Sequence, residues 1–483
     1  EFLVRLFEGS DPAHTRGEAI SARQLLEEGT RRIEAELADQ PEVQVSLYNT
    51  LARIHLNLGA LDESARLAAS AIALAEGPHA DPKAAALAHL ALAETLSAGF
   101  DFAGSRREVE AVLPRLVADH GADSEPVARA KEELAGSLPQ TGGTLEESYR
   151  LAQEAHAYYQ KRYGDEHPES ARRLAVVAVT LRQLDRLAEA EAAFARATAI
   201  LERTLGADHP ETAEVRRYWA AALDQAGRSD EAVAEMEQAV AALEKSLGPT
   251  HPTVARGLGG LAAIYSRHGR QAEAEPLLRR CVATLHGGGS REEGDCLRML
   301  GQLLVDTPGR AAEAEATLED AVAILARGNA LDPFLLSTLA TLGRARILLG
   351  KLDAGEAMLR DAIGRIEQVY GPEGDQMRRP LFTLGDLELA RGRPAEAVAT
   401  LRRALAVSEK TRGATSTATA KAAEVLARAL LVAGGDAHLA EASQLADRAA
   451  AIYRDAKWTP ERLAAMAELA KAIERAGLRE PGP

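Results

Sequence analysis

The dipeptide His-Pro falls at positions 167, 209 and 251, so the same phrase returns at one constant interval. The text between these points keeps step. HPESARRLAVVAVTLRQLDRLAEAEAAFARATAILERTLGAD is followed by HPETAEVRRYWAAALDQAGRSDEAVAEMEQAVAALEKSLGPT. Asp185, Gly227 and Gly269 occupy one equivalent position, and Gly206 and Gly248 another. Self-similarity at this period restricts the fold more than composition does. A unit of this size cannot bury an apolar face alone, so units stack and the core runs along the stack. The 483 residues then need no division into about three ordinary domains, which length alone suggests.

Each period reads as two helices. Proline at a first helical position costs no hydrogen bond, because that N–H has no partner within the helix. An acidic residue close behind suits the positive end of the helix dipole. The mid-period glycine permits the positive φ that ends the first helix in a tight turn. Apolar residues then recur at helical spacing: Leu258, Leu261, Ala262 and Tyr265 on the first helix, and Ala274, Leu277, Leu278, Cys281 and Leu285 on the second. Small residues at 262 and 274 let the two helices approach closely.

The register extends in both directions. Residues 1–40 form an N-terminal segment, with Asp11-Pro12 and Gly17 in an irregular stretch and Ser21 as the N-cap of a capping helix. The first repeat covers 41–78 and turns at Gly59. The second covers 81–121 and turns at Gly99 to Gly104. The third has a helix from Pro126 to about Leu138, then the longer loop PQTGGT. Regular repeats follow at 167–208, 209–250 and 251–288. Beyond the turn at Gly269, further turns at Gly309, Gly350, Gly392 and Gly434 hold nearly the same interval to the end. About ten repeats thus fill 41–455, and residues 456–483 make a closing helix and tail. The expected architecture is all-α: a right-handed α-solenoid of antiparallel helix pairs.

The pattern resembles tetratricopeptide repeats of the longer form found in kinesin light chains and many bacterial proteins. The residues that carry the resemblance are the HP opening, the L-x-x-(L/V/W)-A core, the turn glycine, and EAE or DEA at the start of the second helix. A second resemblance lies in FLVRLFEGSDPAHTRGEAISARQLLEEGTRRIEAELADQPEVQ. This is similar to the junction in bacterial serine/threonine protein kinases that carry a C-terminal repeat region. It implies that the chain is the regulatory or substrate-docking half of such a kinase, with Glu1 at a domain boundary. The alternative is a stand-alone adaptor that assembles a protein complex.

No catalytic constellation accompanies these repeats. The sequence has no HRD and no DFG, and Asp101-Phe102-Ala103-Gly104 is one residue too long and is expected in a turn. Gly257, Gly259 and Gly260 fall inside a helix and read as close-packing positions. His167, His209 and His251 begin different repeats, so stacking separates them beyond the few ångströms that ligands of one metal require. No HExxH and no supportable Ser-His-Asp arrangement occurs. The expectation is a non-enzymatic scaffold with no cofactor and no metal.

The net charge of −15, with only 4% aromatic residues, argues against nucleic-acid binding, which needs facing positive charge and stacking platforms. No apolar run reaches the ~18 residues of a membrane span. Cys281 and Cys296 flank the turn at Gly287–Gly289; free buried thiols are the favoured reading, and a bridge belongs only to an oxidising compartment. The compartment is cytoplasm by default, or the extracytoplasmic side if a membrane-spanning kinase precedes the repeats.

In repeats of this kind the first helices line an inner surface. By register, Asn49, Arg53, Arg172, Arg182, Arg217, Arg256, Arg344 and Arg379 face inward. An arginine-dotted groove in an acidic chain points to protein or peptide partners with acidic, C-terminal carboxylate or phosphorylated groups. The competing account is arginines consumed in local ion pairs.

Overall fold

The structure, a computed structural model, describes residues 22–37, 39–77, 81–328, 330–455 and 460–477. The N-terminal phrase up to Ser21, including Asp11, Pro12 and Gly17, lies outside the described residues. Among the described residues every regular element is helical. The chain divides into two compact units, Glu1–Ala242 and Leu243–Pro483.

In the first unit a helix at Ala22–Glu36 packs on Pro41–Asn57. Helix pairs then follow one another: Pro41–Asn57 with Leu61–Ala75, Pro82–Ala98 with Phe102–His120, Glu125–Ser137 with Leu145–Tyr163, and Pro168–Gln183 with Leu187–Thr204. Pro210–Gln225 and Ser229–Leu247 continue the order. In the second unit the pairs are Pro252–Arg267 with Gln271–Leu285, Arg291–Asp306 with Ala311–Leu325, Pro333–Leu348 with Leu352–Tyr370, Arg378–Ala390 with Pro394–Arg412, and Thr417–Ala433 with Asp436–Asp455. Pro460–Gly477 packs on the last of these. Within each unit this is an α-solenoid of helix pairs.

The helix starts show what the His-Pro phrase does. His167, His209 and His251 are N-caps, and their ring Nδ1 atoms accept the backbone N–H of Glu169 (3.1 Å), Glu211 (3.3 Å) and Thr253 (3.1 Å). The proline supplies the N1 position, and the ring satisfies one of the N–H groups a helix start leaves open. A second bond ties consecutive repeats. The hydroxyls of Ser170 and Thr212 donate to the carbonyls of Gly164 (2.7 Å) and Gly206 (2.9 Å), at the end of the preceding helix.

The turns follow the register with one departure. Gly59, Gly227, Gly269, Gly309, Gly350, Gly392 and Gly434 have positive φ, and Asp185 takes the position with φ 60°. In the second repeat the left-handed residue is Phe100 (φ 64°) rather than Gly99. Gly104 is no turn residue. It lies in the first turn of Phe102–His120, where its N–H is bonded by the Asp101 carboxylate at 2.8 Å.

The cores run along the helix pairs. Leu67, Ala68 and Ala71 are buried in the first unit, with Phe194, Ala197 and Leu201 further along. Leu401, Leu426 and Tyr453 do the same in the second. Full burial of a Leu or Phe side chain stabilises by about 2–3 kcal/mol. Close approach depends on small residues: a Cβ on Gly385 would meet Leu401 Cγ at 2.6 Å, and one on Gly355 would meet the Gly343 carbonyl oxygen at 2.8 Å. Gly259 lies inside Pro252–Arg267, and a side chain there would run into Met299.

Cys281 and Cys296 form a disulfide, with Cα atoms 5.8 Å apart. The reading of free thiols is therefore replaced. The two helices, Gln271–Leu285 and Arg291–Asp306, run back from one turn, and the cysteines meet because they stand similarly far from it.

Candidate functional site

A groove of about 640 Å³ opens in the second unit between residues 302 and 421. Its floor comes mainly from the first helices of four successive repeats: Gln302 and Asp306, then Pro333 to Arg344, then Arg378 to Asp386, then Lys421. Tyr370 and Ile366 close it from the end of Leu352–Tyr370. That volume lies in the range of ligand pockets. Its wall is apolar at Leu336, Ile366 and Phe382, with uncharged polar and charged side chains between them.

Five cations and three carboxylates line the groove, so it carries +2 in a chain of formal net charge −15. Most of these charges are used internally. Arg344 pairs with Asp306 at 2.5 Å, and Gln302 holds the same carboxylate at 2.9 Å. Thr341 bonds Gln302 in turn at 3.1 Å. Arg412 and Arg378 both bind Asp375, which also accepts from Thr411 at 3.0 Å. Burial alone would raise the Asp375 carboxyl. The hydrogen bond and charge of Arg412, with Arg378 and Thr411, outweigh it and hold the group at about 2. Lys421 stands 3.7 Å from Glu424.

Two charged lining residues differ. Arg379 and Asp386 are exposed, and neither side chain has a hydrogen-bond or ion-pair partner among the described residues. Asp386 is open to water yet walled by protein on most sides, as a residue on a groove floor must be. That crowding raises its carboxyl, against the opposing pull of Lys421, Arg428 and Arg344. Burial likewise pushes the Tyr370 phenol up to about 12, with Asp332 adding to it.

Of the eight inward candidates, the structure places Arg344 and Arg379 in this groove. The others line no part of it. Arg172 is held by Glu169 and by Glu211 of the following repeat. Arg217 pairs with Glu214 at 2.8 Å and lies 4.4 Å over the Tyr218 ring. Arg182 donates to Gln225 at 3.2 Å, and Arg256 to Thr253 at 3.3 Å. Arg53 is exposed, and Asn49 is half-buried with its Oδ1 unsatisfied. The competing account of consumed arginines thus describes Arg172, Arg217 and Arg344.

Asp386, Phe382 and Lys421 escaped the sequence reading, yet for the two charged residues a signal exists. Arg379 and Lys421 stand equally far before their turn glycines, Gly392 and Gly434. Arg344 and Asp386 share a second, shorter offset from theirs, Gly350 and Gly392. Tabulating every residue by its distance to the turn would have isolated both rows.

Among the described residues no group of three or more His, Cys, Asp or Glu side chains is arranged to hold a metal ion. No described helix is long and apolar enough to cross a membrane.

A family profile described as tetratricopeptide repeat matches residues 126–203, 176–245, 217–285 and 334–410. Among solved structures the chain is similar to the nearly identical TPR-like repeats of a Podosopora anserina protein named for kinesin light chain. Identity is 27% over 42% of this chain and 98% of that one, with a TM-score of 0.36. It is similar to BtubC of P. vanneervenii at 20% identity, over 47% of this chain and 93% of that one, with a TM-score of 0.41. It is also similar to the apo form of the quorum sensor NprR of B. thuringiensis. There identity is 11% over 77% of this chain and 99% of that one, with a TM-score of 0.50. No curated protein matches the sequence.

Proposed function

We propose that this chain, whose tetratricopeptide repeats mark an interaction scaffold, serves as the docking and regulatory region of a bacterial serine/threonine protein kinase. Repeats of this fold are typically non-catalytic, so the phosphoryl transfer belongs to a kinase domain and the repeats select what it meets. The observation that carries this reading is the phrase FLVRLFEGSDP at residues 2–12, which leads into the repeats as it does at such junctions. The Cys281–Cys296 bridge suits placement on the extracytoplasmic side of a membrane-spanning kinase.

The groove from 302 to 421 is the proposed docking site, where Arg379 meets an acidic, carboxylate or phosphorylated group of the partner, and Arg344, already held by Asp306, borders it. Its positive balance in an acidic chain supports this. Asn49, Arg53, Arg172, Arg182, Arg217 and Arg256 belong to a wider contact surface in this proposal. Reading the coding region upstream of Glu1 tests the kinase assignment. A catalytic domain with HRD and DFG is the expected result. A start codon within a few residues overturns it and leaves the stand-alone adaptor.

A further inference from the structure

We infer that the groove of the second unit recognises an extended peptide segment carrying two opposite charges about three residues apart, an acidic side chain held by Arg379 and a basic one held by Asp386. This rests on the reading of the groove as a docking site. It goes further by naming what the occupant must present.

The argument begins from what the groove leaves unused. Six of its eight charged lining residues already have partners within the protein: Arg344 with Asp306, Arg378 and Arg412 with Asp375, and Lys421 beside Glu424. Arg379 and Asp386 make neither a side-chain hydrogen bond nor an ion pair among the described residues, although Lys421, Arg428 and Arg344 attract the Asp386 carboxylate from further off, and the two have opposite signs. Both stand on the helix Arg378–Ala390, two turns apart. Two helical turns span about 10 Å. An extended chain covers that distance in about three residues.

The residues between complete the pattern. Phe382 and Thr383 lie on the same face at helical spacing, and both line the groove. The face therefore reads cation, aromatic with hydroxyl, anion. An occupant that fits it reads acid, apolar, base. A purely acidic segment would set its second carboxylate against Asp386, whose proton affinity is already raised by its surroundings. Like charges juxtaposed in this way discriminate against a partner.

Fluorescence polarisation on the full chain tests the inference with blocked synthetic peptides. Two carry Glu and Lys about three residues apart around a Leu, one in each order; two controls carry a pair of Glu or a pair of Lys. One order of the mixed pair binds best. Arg379→Glu and Asp386→Lys each weaken it about tenfold or more, the worth of one charge-assisted contact. The double reversal Arg379→Glu/Asp386→Lys shifts preference to the opposite order. Far-UV circular dichroism checks the fold of each variant, and Arg379→Gln and Asp386→Asn replace any reversal that unfolds. Equal or better binding of the two-acid peptide, strengthened by Asp386→Lys, overturns the inference and leaves an acid-binding groove standing. So does mixed-pair binding that is indifferent to both residues, or absent at millimolar concentration. The kinase assignment is decided separately, by the upstream sequence.

Discussion

At the start of the sixth repeat the ring of His251 holds the Thr253 N–H at 3.1 Å. A histidine does here what serine or aspartate does at most helix starts. His251→Ala should therefore cost about 1 kcal/mol, while His251→Asp should retain the cap and gain from the dipole. Hydrogen exchange of the helix Pro252–Arg267 reads the difference; equal protection in both variants would deny the ring its role. Glu133 is a second case where the surroundings matter more than the residue type. Burial, then the nearby charges of Glu94 and Glu132, push its carboxyl from 4.5 up to about 8, against a bond from Ser97 and the charge of Arg129. Below pH 4.5 folded and unfolded chains both keep this proton. Between 4.5 and 8 only the unfolded chain releases it, so stability falls as pH rises, and above about 8 the penalty is complete. Glu133→Gln should remove that slope and stabilise the alkaline form by on the order of 2 kcal/mol. Urea unfolding on either side of that window, in mild acid and in mild alkali, measures it.

Among helices, one close approach occurs in the eighth repeat. Gly343 and Gly355 face each other so tightly that a Cβ on either would lie within about 3.0 Å of the other's carbonyl oxygen. Gly355→Leu should force Pro333–Leu348 from Leu352–Tyr370 at a cost of about 1–3 kcal/mol. Because Pro333–Leu348 forms part of the groove floor, peptide binding should weaken with it. A melting temperature unchanged in this variant would show that the pair can slide apart freely. The pairing itself was legible in the sequence, because turn glycines and helix-opening prolines announce their geometry locally. Phe100 was not, since an aromatic at φ 64° gives no such signal and only the neighbouring repeats show that a left-handed residue is required. Nor could the sequence say which arginines remain available. Arg172 is consumed by Glu211 of the next repeat, and Arg344 by Asp306 of the one before. Such pairings depend on the stacking of one repeat upon the next.

Across the chain as a whole, stability in a repeat protein is a sum of units and of the junctions between neighbours. The Cys281–Cys296 bridge fixes one junction covalently, between the sixth and seventh repeats, across a sequence separation of 15. A closed loop of that length is worth about 3 kcal/mol in the chain-entropy account. Reduction, or Cys281→Ser with Cys296→Ser, should lower protection from exchange in 252–325 first. Protection unaffected by reductant, or thiols that react freely in the native protein, would remove the bridge from the account. The same locality explains why the fold of the described repeats was readable while the ligand was not. Repetition encodes the frame, and the groove is made where residues depart from it.

The three His-Pro caps also make the molecule measurable in an unusual way. Because each Nδ1 accepts a backbone N–H, each ring is held in the tautomer that carries its proton on Nε2. The nitrogen resonances of His167, His209 and His251 are then internal reporters, one for each of three consecutive repeats. As a repeat melts, its own ring is released to exchange between tautomers. In protein enriched with nitrogen-15, the order in which the three signals change would give the direction in which unfolding travels, with no chemical probe attached.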